Sequence, residues 1–129
     1  MLKVKTSYTP NGSRLENDRA TVKIGSEEGE FFPYDFLLGA LSACFHSTLV
    51  DILIKSKVEI PPIEIVVTGE KRKEIPTTLK WVNLEITVFG EVNEKQFLRY
   101  VDLAAKYCSV HETISKVATM THEVKFSPS

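Results

Sequence analysis

Two of the 129 residues are cysteines, and each has a histidine close by: Cys44-x-His46 and Cys108-x-x-His111. These side chains suit two chemistries. Four Cys and His groups could ligate zinc. A Cys–His pair could act as an acyl-transfer nucleophile. Helical positions i and i+2 point roughly 200° apart, so Cys44 and His46 share an ion only if the helix between them is broken. Cys108 and His111 can converge. Nothing marks an orienting third group or an oxyanion hole for acyl transfer. No Gly-rich phosphate loop, H-E-x-x-H or Walker pattern occurs. His122 lies in an alternating stretch and reads as a surface residue.

The elements that carry the thiols differ sharply. Pro33 to Lys57 is the most apolar stretch, with almost no polar side chain from Phe36 to Phe45. A helix apolar on every side is expected to be buried on every side. Pro33 and Asp35 suit its start, and Lys55 and Lys57 its end. The unbroken apolar run is about half the ~20 residues of a membrane span, so a core helix is expected. Burial there raises the pKa of Cys44, unless an arginine or a dipole reaches it. Cys108 precedes Ser109-x-x-Glu112, which reads as a capping box with Ser109 as N-cap. Unpaired N–H groups at that helix start favour a thiolate. On the residues alone, Cys108 is the better thiolate and Cys44 a small core residue.

Around these lie alternating stretches. Val4–Thr9, Ser13–Asn17 and Ala20–Ile24 read as three strands, the first two parted by the turn residues Pro10-Asn11-Gly12. Gly25 to Glu30 reads as a solvated polar loop. Ile63, Ile65 and Val67 begin a strand that could run on through the charged Glu70–Glu74, a run read as a soluble strand end. Past Pro76-Thr77-Thr78, a long strand carries Lys80, Val82, Leu84, Ile86 and Val88 on one face, completing an antiparallel hairpin. Asn93 fits an N-cap with Gln96 three residues on. Phe97, Val101, Ala104 and Cys108 form one helical face, with a break near Tyr107-Cys108. Thr121 to Phe126 reads as a last strand. The expected fold is α+β with mostly antiparallel strands, in one domain over residues 1–129.

The net charge of −1 and the sequence pI of about 6.3 favour neither nucleic acid nor an anionic membrane as partner. The N-terminal residues lack a secretory h-region. Two cysteines without such a signal suggest a reducing cytoplasmic setting.

Pro33-x-x-x-Leu37-Leu38-x-Ala40-Leu41-x-Ala43-Cys44, together with Tyr107-Cys108-Ser109-Val110, resembles the OsmC/Ohr family of osmotically induced and organic-hydroperoxide-resistance proteins. Glu70–Glu74 and the Ala104-to-Val110 stretch look most like a less studied OsmC-like branch. The resemblance implies an OsmC-like fold with a long buried central helix and an intertwined homodimer. It implies a thiol peroxidase for organic hydroperoxides, with Cys44 peroxidatic and Cys108 resolving through a Cys44–Cys108 disulfide. An external dithiol would reset the pair, with no metal or organic cofactor. Arg14 is the match for the family's activating arginine, with Arg19 as fallback; Asp35 and Glu112 are the other supporting candidates. Tyr34 stands where the well-studied branch places a glutamate, and the acid follows one residue later, at Asp35. A family member with little peroxidase activity, binding a small ligand, is the alternative.

Overall fold

The computed structural model describes residues 1–128. Its elements run β1 Lys5–Thr9, β2 Gly12–Glu16, β3 Thr21–Lys23, α1 Pro33–Lys55, β4 Ile63–Lys71, β5 Leu79–Phe89, α2 Glu94–Tyr107, α3 Ser109–Ser115 and β6 Thr119–Ser127. The fold is α+β, as the residue patterns imply. The chain divides into two compact units, Met1–Leu37 and Leu38–Ser129.

In the first unit β1, β2 and β3 form an antiparallel sheet in that order. Its first hairpin closes at Thr9↔Gly12, where Gly12 takes φ +125°, a conformation that L side chains rarely adopt. At the start of α1, the Asp35 carboxylate accepts the Phe32 backbone N–H at 2.9 Å. Asp35 therefore caps the helix from its third position, satisfying a donor with no partner inside the helix.

In the second unit β5 is the central strand. It pairs antiparallel with β4 and parallel with β6. Register puts Ile65, Ile86 and Val124 side by side on one face. Val82, Leu84, Ile86 and Val88 are wholly buried there, with Leu41, Phe45, Leu49 and Leu53 of α1 and Phe97, Val101, Ala104 and Cys108 of the α2 face. The i, i+4 spacing of the α1 residues makes one stripe on the helix.

Several details depart from the sequence reading. The register shifts opposite Glu70/Lys71, so Lys80 has no partner on β4. This bulge turns Leu79 inward, 7% exposed, and leaves Lys80 in water. Strand β4 stops at Lys71 and does not run to Glu74. Instead Arg72 opens the turn, with its Nε donating to the Pro76 carbonyl at 2.9 Å. The helix α1 is buried along its stripe, whereas Leu37 and Ile54 are exposed on the chain's own surface. By length and composition, α1 is long and apolar enough to cross a membrane. The length of the apolar run therefore does not by itself exclude a span. What marks α1 as a core helix is that its stripe is withdrawn into the core of the second unit.

Candidate functional site: a pair of thiols on two helices

Phe97, Val101, Ala104 and Cys108 recur on one face of α2, so Cys108 enters the core with the rest of that face. Asn93 fixes where the helix begins, its Oδ1 accepting the Gln96 N–H at 3.1 Å. At the other end Cys108 is extended, φ −69° and ψ 117°, and breaks the helix as the sequence suggests. Its N–H still donates to the Ala104 carbonyl at 2.9 Å, while its Sγ accepts the His111 N–H at 3.5 Å. The one residue closes α2 and caps α3.

The expected capping box does not form. Ser109 is already the first residue of α3, and Cys108 is the N-cap. A serine one position past the cap cannot reach back to the N–H groups that a cap serves. Glu112 turns to Lys116 instead, at 2.7 Å between two exposed side chains.

Freed from capping, the Ser109 hydroxyl lies 3.8 Å from Cys44 Sγ. The half-buried Cys44 occupies α1 one residue before the stripe residue Phe45. Burial pushes the Cys44 thiol up. Hydrogen bonds from the Val110 backbone, the Cys108 thiol, the Ser109 hydroxyl and the Ser109 backbone outweigh that and hold it below its ordinary value. For Cys108 the balance is opposite. Burial raises it, the His111 N–H opposes, and the hydrogen bond and charge of Cys44 raise it further. The pair is therefore ordered in acidity: Cys44 is the more acidic thiol and Cys108 the less acidic. This order corrects the residue-level expectation of Cys108 as the thiolate. A helix start favours the anion, but complete burial of that sulfur costs more. Both thiols are free.

The histidines separate. Among the described residues no group of three or more His, Cys, Asp or Glu side chains could hold a metal ion. The helix α1 is unbroken through Cys44 and His46. His46 faces another way, into a groove of about 540 Å³ with Leu38, Ser42, Ile63, Ile65 and Val67. Burial, and then the charge of His122, hold the His111 imidazole below its ordinary value, with Glu112 opposing. His122, read as a surface residue, is half-buried on the inward face of its strand, its side chain 26% exposed. Register places it beside the buried Leu84, and its Nε2 lies 2.9 Å from Asp102 Oδ1 on α2. Strand alternation alone leaves the inward face of β6 undecided.

In the first unit, Arg14 lies on β2 with its Nε 3.7 Å from Glu16 Oε1, and its side chain is largely exposed. The Asn17 carboxamide accepts the Arg19 backbone N–H at 2.8 Å. Neither Ser109 nor Val110 stood out as a partner of Cys44 in the sequence. They lie 65 and 66 residues from it, and no local pattern records such a contact.

A mixed α+β chain with one thiol on a long core helix and a second between two short-loop helices defines a class of two-cysteine proteins. Residues 25–123 match the family model described as "OsmC-like protein". Protein YhfA of Escherichia coli K12 is 34% identical over 92 residues, covering 70% of this chain and 69% of YhfA. The chain belongs to the OsmC/Ohr family. An OsmC-like protein from Mycoplasma pneumoniae superposes with a TM-score of 0.86 at 18% identity, covering 97% of this chain and 96% of its own. The organic hydroperoxide resistance protein OhrB of Bacillus subtilis does so with a TM-score of 0.70 at 18% identity, over 95% and 96% of the two chains. At those identities the likeness concerns the fold.

Proposed function

We propose that this protein is a cytoplasmic, homodimeric thiol peroxidase that reduces organic hydroperoxides. The observation that carries the reading is that Cys44 Sγ lies 3.8 Å from the hydroxyl of Ser109, the residue that follows Cys108, so α1 brings one cysteine to the helix start that holds the other. The lowered Cys44 and raised Cys108 acidities agree with it. The names of similar folds point the same way, OhrB of Bacillus subtilis being an organic hydroperoxide resistance protein. In this reading the Cys44 thiolate attacks one oxygen of R–O–O–H and the O–O bond breaks. Cys44 becomes a sulfenic acid, and the alkoxide takes a proton to leave as the alcohol. Cys108 then gives up its proton and attacks the sulfenic sulfur, forming the Cys44–Cys108 disulfide and releasing water. An external dithiol reduces the disulfide and is itself oxidised. No step calls for a metal or organic cofactor. The role of Arg14 as the activating cation rests on the family resemblance alone, and Asp35 caps the start of α1.

A second reading has one observation in its favour. The open groove beside His46 and Ser42, lined also by Leu38, Ile63, Ile65 and Val67, has the size for a small ligand and mixes polar with apolar side chains. A family member binding there without turnover would leave both thiols unoxidised.

Thiol counting after one equivalent of an organic hydroperoxide separates the two, since the peroxidase loses both thiols and the binder neither. Cys44→Ser should abolish turnover and leave Cys108 reduced. Cys108→Ser should react once and hold a sulfenic acid that dimedone traps on Cys44. Label on Cys108 in the Cys44→Ser variant, with none on Cys44 in the Cys108→Ser variant, would reverse the assignment.

A further inference from the structure

We propose that the Ser109 hydroxyl is a positioning residue for Cys44, donating a hydrogen bond that holds and stabilises the Cys44 thiolate. The inference rests on the reading of Cys44 as the attacking thiol and adds to it the side chain that tunes the sulfur. Ser109 Oγ lies 3.8 Å from Cys44 Sγ, and with both groups neutral either atom can be the donor. Once Cys44 is ionised the ambiguity ends. A thiolate has no proton to give, so the hydroxyl must donate, and the bond is stronger for the charge. The hydroxyl is also uncommitted. Ser109 would be an N-cap if α3 began one residue later, but the Cys108 sulfur holds that place. The Ser109 carbonyl, not its hydroxyl, accepts the Thr113 hydroxyl at 2.9 Å. Using a cysteine as the cap thus leaves a serine hydroxyl free beside the other cysteine. Loss of this bond removes stabilisation from the anion and little from the thiol, so it acts on acidity more than on folding.

The test is the pH dependence of alkylation at each cysteine, followed by peptide mass in the intact chain. Ser109→Ala should move the Cys44 midpoint upward by about half to one pH unit. Ser109→Thr, which keeps the hydroxyl, should leave it near the parent value. If Ser109→Ala does not fold, Ser109→Gly reads the same midpoint. An unchanged midpoint on loss of the hydroxyl overturns the inference, as does an equal shift in the threonine and alanine variants. Alkylation needs no peroxide, so the outcome is independent of turnover. A shifted midpoint in a protein that reduces no hydroperoxide would sink the peroxidase reading and leave the Ser109 assignment standing.

Discussion

Cys108 Sγ accepts the backbone N–H of His111 at 3.5 Å, so the proposed resolving thiol is also the N-cap of the helix that follows it. The redox role proposed for this sulfur and the start of α3 are therefore tied to one atom. Replacing the sulfur should separate its two roles. Cys108→Ser keeps an acceptor at the cap, whereas Cys108→Ala removes it. The alanine variant should be less stable than the serine variant by about 1 kcal/mol. Urea denaturation of the two variants measures the difference. Equal midpoints would mean that the sulfur contributes nothing as a cap.

The thiols should pull stability in opposite directions with pH. Cys108 holds its proton more tightly folded than unfolded. Its contribution is present below the ordinary value of 9.0 and is lost as pH rises through the raised folded value. Cys44 is depressed, so its contribution is present above 9.0 and lost as pH falls through its lowered folded value. The parent should lose stability on passing above pH 9.0, and Cys108→Ala should lose less. Denaturant midpoints on either side of that pH test this; parallel curves for the two proteins would contradict it.

Glu112 should prove irrelevant to the thiols. Its carboxylate is committed to Lys116 at 2.7 Å in open solvent, where such pairs contribute little. Glu112→Gln should leave the Cys44 alkylation profile and any hydroperoxide turnover at parent values. A changed Cys44 profile in that variant would restore Glu112 to the site.

The exposed apolar side chains of α1 lead to a prediction about association. Only one stripe of the helix is wholly buried within the chain, while Leu37 and Ile54 stay exposed at 36% and 59%. Apolar side chains left exposed along such a helix are expected to be covered by another protein surface. A second copy of the chain is the cover proposed here. Sedimentation at micromolar concentration should give twice the chain mass of 14.5 kDa. A stable monomer would leave that surface unexplained and refute the homodimer.

Local chemistry settles much of this protein before any tertiary contact is considered. Alternation marks β4, β5 and β6. Asn93 with Gln96 marks the start of α2, and the spacing from Phe97 to Cys108 marks its buried face. Each of these signals depends on neighbours within a turn or a strand, which the sequence displays directly. Tertiary structure decided what depends on partners far along the chain. The Lys80 bulge arises from pairing with Glu70 and Lys71, and it exchanges Lys80 for Leu79 on the core side. His122 turns inward because β6 pairs parallel to β5 in a register that puts it beside Leu84. The cap moved from Ser109 to Cys108 because α3 begins one residue earlier than its hydroxyl suggests. The order of the two acidities changed with it. Sequence neighbours favoured Cys108 as the anion, but desolvation and hydrogen bonds across some 65 residues decide the balance. Those terms exist only once α1 and the start of α3 have come together.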